Sequence, residues 1–322
     1  MTLFDGHSDL LYDVTRRRLL GETHVLERFH LDHLRKGGVE GLVLALWVSR
    51  TPGSFWHSVR GGETEAGRTS LMLRCMEEEL AECPDVMLVH SAAEAARARS
   101  AGKIYAFLGV EGMAAIEQES VAGVDGYADL GARIAMLTWN EENDLATGAG
   151  GDPDKGLTVY GKQAVRRMQE RGMLVDVSHL SDGGFWDVMN LTNGPVIASH
   201  SNCRALCDVR RNLSDEQLRA IRDTGGVVGL NAFHGFAHTD PQLQTVEMLA
   251  RHAAHMVEVM GVEHVACGFD FCEFFEEPGN EGVRGMENAS CAGNLLRELE
   301  KLGMHQRELE LIARENFLRL LR

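Results

Sequence analysis

No apolar run in this 322-residue chain is long enough to span a bilayer. The N-terminus also lacks a basic segment followed by an apolar one, so neither a membrane anchor nor a secretory signal is expected. Met1 runs straight into the first apolar stretch. No CxxC pair occurs, and the seven cysteines (Cys75, Cys83, Cys203, Cys207, Cys267, Cys272, Cys291) are scattered and odd in number. A disulfide framework is not expected, and a reducing cytoplasm fits this usage. Basic residues are in deficit, 32 against 48 acidic ones, which leaves a net charge of −16. Such a surface repels phosphate backbones and argues against nucleic acid as a partner. There is no Gly-rich phosphate loop and no GxSxG elbow, so nucleotide binding and serine hydrolysis have no support. No linker, repeat or low-complexity tract divides the chain, and residues 1–322 read as one domain.

What is present is ordinary globular composition, 44% hydrophobic and 25% charged, arranged as short apolar runs alternating with longer amphipathic ones. Eight runs bounded by Gly, Asn, Asp or Ser read as strands, at 3–9, 41–49, 104–112, 133–139, 174–179, 195–201, 227–233 and 264–271. A ninth, VMLVHS at 86–91, reads as an edge strand or a decoration. Helical patterns lie between them. GKQAVRRMQERG (161–172) puts Ala164, Val165 and Met168 on one face and can stop at Gly172. Ser214 and Gln217 have the spacing of a capping box, with Gly225 as the stop, and the run from Gln244 ends in the same way at Gly261. Eight strands alternating with helices imply an α/β fold, a (β/α)₈ TIM barrel.

Barrels of this type build their sites at the C-terminal strand ends. The first strand ends in His7 and Asp9, two residues apart and able to project together. An isolated HxD reads more readily as a polar strand end with a solvated Asp. The other ends repeat the theme: Glu111 in GVEG, His179 in DVSH, His200 in ASHS and Asp270 in GFDF. Each alone has a structural explanation, but six on one rim do not arise readily by chance. Three His, one Asp and one Glu suit two divalent ions that keep open coordination positions. Two such ions about 3.5–4 Å apart can hold a hydroxide between them. Glu111 is placed to bridge, and Asp270 is left to move protons.

In order along the chain, DGHSDLL, GVEG, DVSH, ASHS followed by RRN, GFDF and the terminal NFLRLL resemble the membrane (renal) dipeptidase family of zinc peptidases. The resemblance runs from residue 5 to residue 320. It implies a (β/α)₈ barrel of the metal-dependent amidohydrolase type with two zinc ions. His7 and Asp9 would bind one ion, His179 and His200 the other, with Glu111 as the bridge. Asp270 matches the residue that takes a proton from the bridging water and delivers it to the leaving amine. Arg211, the second Arg of VRRN, matches the clamp on the substrate carboxylate, a task that suits a guanidinium fork. The implied partner is a dipeptide, with L-Xaa-D-Xaa among the expected substrates.

The chain departs from that pattern in one place. Mammalian members carry a substrate-contacting histidine after the Leu-Thr of the fourth strand, where LTWNEEN puts Trp139 or Asn140. Asn140 could donate to an oxyanion and Trp139 could line a pocket wall. Hydrolysis of N-acyl amino acids, lactams or lactones on the same metal core is therefore an alternative, and binding without turnover is a third. Zinc is not unique, since the same ligands accept Mn, Co or Fe. Helices lining the site and the loop EFFEEPGNEGVRG after the eighth strand are expected to set side-chain preference. The absence of a signal and a lipid-anchor tail matches the soluble bacterial members. The pairs His30/His33, His252/His255 and His234/His238 read as surface or packing residues, the methionines as core filler and CMEEELAE as a solvated helix face. A homodimer stays open, because no exposed apolar helix face stands out.

Overall fold

The computed structural model describes residues 1–50, 54–116, 121–275 and 279–321. Among them each predicted apolar run forms a strand: β1 Leu3–Ser8, β2 Val39–Trp47, β3 Val86–Leu88, β4 Ile104–Glu111, β5 Ala132–Met136, β6 Leu174–Asp176, β7 Val196–Ile197, β8 Val228–Leu230 and β9 Val265–Cys267. All pairings between these strands are parallel. The order is β1-β2-β4-β5-β6-β7, and β8 pairs with β9. The ninth run is an edge strand, β3, lying along the start of β4. A parallel bridge between Ala198 and Val228 joins β7 to β8. On the other side the Asp270 amide donates to the His7 carbonyl at 3.3 Å and the Phe269 amide to Asp5 Oδ1 at 2.8 Å, which closes β9 onto β1. The result is a (β/α)₈ barrel of eight strands with β3 outside the ring.

Two apolar layers hold it. Phe4, Val43, Phe107, Ile134, Ile197, Val227 and Ala266 fill the barrel interior, and the larger cluster lies between strands and helices. Phe4 packs on Tyr105, Phe107 and Phe317 at centroid distances of 5.8, 6.0 and 5.3 Å. Phe317 thus brings the last helical segment against the first strand. Only glycine fits at position 6. A Cβ there would lie 2.2 Å from Phe317 Cε2 and 2.8 Å from the Cys267 carbonyl.

The strands after β4 are shorter than the apolar runs that predicted them. The expected strands 133–139, 174–179, 195–201, 227–233 and 264–271 leave the ladder at Met136, Asp176, Ile197, Leu230 and Cys267. The residues beyond are mostly as buried as the strands and keep single backbone hydrogen bonds to their neighbours, such as Ser201 to Gly229 and Ala232 to Phe269, while their polar side chains stand at the barrel mouth. Helix ends follow the sequence signals. Ser214 and Gln217 form the reciprocal capping box, Thr245 caps the helix Val246–Met260, and Gly172 and Gly225 have φ of 70° and 79°.

One reading is corrected. CMEEELAE is not wholly solvated: Glu79 is buried, takes the Arg18 guanidinium at 2.7 Å and accepts from the Leu26 amide at 2.7 Å. A neighbouring buried carboxylate, Asp13, fixes the helix Leu10–Leu19. It accepts from Arg16, Arg17 and His30 Nε2 at 2.9, 2.7 and 2.9 Å. Burial opposes its charge, but these partners outweigh burial and hold the carboxyl at about 2. His30 is thereby a buried packing residue, as are the methionines at 72, 168 and 256.

Two expectations follow. Gly6→Ala should lower stability by about 1–3 kcal/mol through overpacking, read as an earlier urea midpoint, and an unchanged midpoint would contradict the closure described. Asp13 has a folded pKa below its unfolded value, so its stabilisation is full above roughly pH 4 and fades as pH falls toward 2. The stability gap between wild type and Asp13→Asn should accordingly be wide at pH 7 and narrow near pH 2 in denaturant titrations.

Candidate metal centre

The six predicted rim residues converge. His7 Nε2 lies 3.3 Å from Glu111 Oε2, 3.7 Å from Asp9 Oδ1 and 3.9 Å from Asp270 Oδ1. Glu111 Oε1 faces the other half, 2.8 Å from His179 Nε2 and 3.7 Å from His200 Nε2. Ligand atoms of His7, Glu111 and His200 lie within 4.8 Å of one another, as do those of His7, Asp9 and Asp270. Glu111 therefore stands between a His7/Asp9 half and a His179/His200 half.

Buried carboxylates hold the ligand-bearing turns. Asp5 Oδ1 accepts from the His7 and Phe269 amides, at 3.3 and 2.8 Å. Asp176 Oδ1 repeats this one half-turn around the barrel, accepting from the Ser178 and Ser199 amides at 2.9 and 3.1 Å. Each carboxylate ties its own strand end to the next strand just below a ligand. Two site residues adopt a conformation that glycine prefers, His179 at φ 70° and Asp270 at φ 57°. Such strain persists where the surroundings over-determine it, and it gathers at functional sites.

The donor set fits divalent cations. His7 Nε2, Asp9 Oδ1 and Glu111 Oε2 are buried and have no hydrogen-bond partner. Buried polar atoms are rarely left so, and three pointing at one small volume imply a missing positive charge. The other half gives the same indication. His179 Nδ1 donates to Asn140 Oδ1 at 2.9 Å, and His200 Nδ1 meets Ser199 Oγ at 2.7 Å. The two Nε2 atoms lie 2.8 Å apart and both face Glu111 Oε1, so the two rings turn the same edge toward the centre. Burial pushes Glu111 up to about 8, helped by Asp9 and opposed by His7, and Asp270 up to about 6. Burial also holds His179 and His200 well below the usual histidine range, with Arg211 and His7 adding to it.

A cavity of about 460 Å³ opens over this cluster, lined by Asp9, Glu111, His179 and Asp270 at its floor and by aromatic side chains above. A family model described as membrane dipeptidase, peptidase family M19, matches residues 1–322. The chain belongs to the membrane dipeptidase family. An uncharacterized dipeptidase of Schizosaccharomyces pombe is 35% identical over 243 residues, a stretch that is 73% of this chain and 57% of that protein. A metallo peptidase of Rhodobacter sphaeroides, solved with a phosphinate mimic of the dipeptide L-Ala-D-Ala, superposes with a TM-score of 0.86 at 25% identity. The match covers 100% of this chain and 98% of the other. The phosphotriesterase homology protein of Escherichia coli shares the barrel alone, at a TM-score of 0.51 and 13% identity.

Other predicted residues of this dipeptidase-family chain are placed less uniformly. Trp139 and Asn140 line the cavity. Asn140 Oδ1 is engaged by His179, and donation to an oxyanion would fall to its amide nitrogen. Arg211 is buried beside the His200 carbonyl and Ser201 Oγ, at 3.3 and 3.5 Å, and its Nε has no partner. His252 is a packing residue, accepting from the Cys203 amide. In the loop after β9, Phe275 and Asn280 line the cavity, while 276–278 lie outside the described residues.

Sequence reasoning missed Tyr12, Trp47, Phe233, Phe236 and Cys272 in the cavity, and Asn231, which donates to Asp270 Oδ2 at 2.9 Å. Trp47 and Asn231 sit at or just past strand ends, where the barrel rule directs attention, but a search for ligand chemistry passes over a tryptophan and an asparagine. Asn140→Leu removes the acceptor that fixes the His179 tautomer. It should weaken metal retention about 10–100-fold, measured by competition with a chromophoric chelator; unaltered affinity would show that His179 needs no such partner.

Proposed function

We propose that this chain is a zinc-dependent dipeptidase whose residues 1–322 form one catalytic domain. His7 and Asp9 hold one ion, His179 and His200 the other, and Glu111 lies between them. The observation that carries the reading is the meeting of three unpartnered buried ligand atoms, on His7, Asp9 and Glu111, at the mouth of a barrel from the dipeptidase family. Cations bound there would polarise the scissile carbonyl and make a water nucleophilic near neutral pH.

The chain's own residues do the rest. Asp270 is held through Oδ2 by Asn231, which leaves Oδ1 facing His7 and the centre. From that position Asp270 accepts the proton released as the water oxygen bonds to the carbonyl carbon. It returns the proton to the amide nitrogen as the C–N bond breaks, so that the amine leaves neutral. Arg211, with a buried unpartnered Nε, binds the carboxylate of the C-terminal residue and limits the substrate to two residues. Trp139 forms part of the wall. L-Xaa-D-Xaa dipeptides are the expected class, a reading supported by the L-Ala-D-Ala mimic bound to the Rhodobacter relative. The seven free thiols are compatible with a cytoplasmic enzyme.

The alternative substrates, N-acyl amino acids, lactams or lactones, would use the same centre. What favours them is the pair Trp139 and Asn140 where mammalian members carry a histidine.

The deciding experiment is hydrolysis of L-L and L-D dipeptides by zinc-loaded protein, with and without chelator. Asp270→Asn should keep its metal and lose turnover by about 10²–10⁴-fold. Near-wild-type activity in that variant would remove Asp270 from the reaction. Release of no amino acid from metal-replete wild type would move the search to other amides and to lactones.

A further inference from the structure

Four aromatic side chains make one continuous wall of the cavity. Tyr12 and Phe275 stack at 4.5 Å. Trp47 meets Tyr12, Trp139 and Phe275 at 5.5, 5.3 and 5.8 Å. None of the four carries a charge. In the ring of strands they stand at or beyond the ends of β1 (Tyr12), β2 (Trp47), β5 (Trp139) and β9 (Phe275). Arg211 follows β7, diametrically across from β2, with its guanidinium 5.4 Å over the Phe236 ring. Glu111 and Asp270 line the cavity with the wall and lie within electrostatic reach of Arg211.

This layout gives the substrate a direction. We infer that Tyr12, Trp47, Trp139 and Phe275 form the pocket for the side chain of the N-terminal residue and select bulky, apolar residues at that position. The inference rests on the dipeptidase reading above, with the carboxylate end on Arg211. A dipeptide whose carboxylate sits on the β7 side and whose amide lies over Glu111 extends its N-terminal half toward β2 and β1. There it meets aromatic area and no charged partner among the described wall residues. Large rings offer a large contact area to an aliphatic or aromatic side chain, whereas a carboxylate or ammonium would be stripped of water without compensation.

The test is the series L-Xaa-D-Ala with Xaa as Gly, Ala, Leu, Phe, Lys and Glu, assayed as kcat/KM on zinc-loaded protein whose metal content is measured separately. Leu and Phe should exceed Ala at least tenfold, and Lys and Glu about a hundredfold or more, in line with the discrimination that pocket contacts supply. Phe275→Ala and, independently, Trp139→Ala should each lower the Phe-to-Ala ratio at least fivefold, chiefly through KM. A flat series, a preference for Ala, Lys or Glu, or a ratio unmoved in both variants would overturn the pocket assignment while leaving the dipeptidase reading intact. Hydrolysis of no dipeptide by protein that carries its full metal would overturn both.

Discussion

Uncompensated charge at the mouth of the barrel is the constraint on which the rest of the structure depends. Asp9 and Glu111 are buried with His7, His179 and His200, Asp270 stands half-buried beside them, and several of these atoms have no partner. Without a cation such an assembly is costly, because burying carboxylates side by side favours their protonation. Folding therefore has to hold the cluster together against its own repulsion until metal relieves it. The devices that do so are visible below the site: Asp5 and Asp176 each staple two backbone amides from adjacent strands, and the parallel ladders beneath them are mainly apolar.

The short strands belong to the same economy. A strand that stays in register to its end aims alternate side chains in fixed directions. The chain leaves the ladder early at β6 and β9, and passes through left-handed backbone at His179 and Asp270, so that an imidazole and a carboxylate reach over the rim. Regular structure is given up where chemistry needs a particular direction, and the loss is made good by hydrogen bonds such as Asn140 to His179 and Asn231 to Asp270.

Much of this was legible in the sequence, for identifiable reasons. Strands buried on both faces appear as unbroken apolar runs, and a barrel concentrates its polar ligands at the ends of those runs, so His7, Glu111, His179, His200 and Asp270 stood out. Ser214 with Gln217, and Gly225 and Gly261 as stops, announced helix ends through capping chemistry that is local by nature. The strand limits were not legible, because Val177 and Phe269 are as buried off the ladder as on it. The aromatic wall was not legible either. Tyr12, Trp47, Trp139 and Phe275 are separated by long stretches of chain and share no motif, and only barrel closure brings them together. Glu79 looked solvated because a charged helix face gives no hint that Arg18, from a distant segment, will cover one of its carboxylates.

Phe317 packs on Phe4, inside a barrel whose first and last strands touch through Gly6 and Cys267. This couples the two ends of the chain in time as well as in space. The contact of Asp5 with Phe269 spans 264 residues of sequence, so His7 and Asp9 meet Asp270 only once the barrel has closed. Contacts of such long sequence separation form slowly. The candidate centre is thus finished by the closing step of the barrel and not by any local segment, so a partly folded chain holds no complete cation trap.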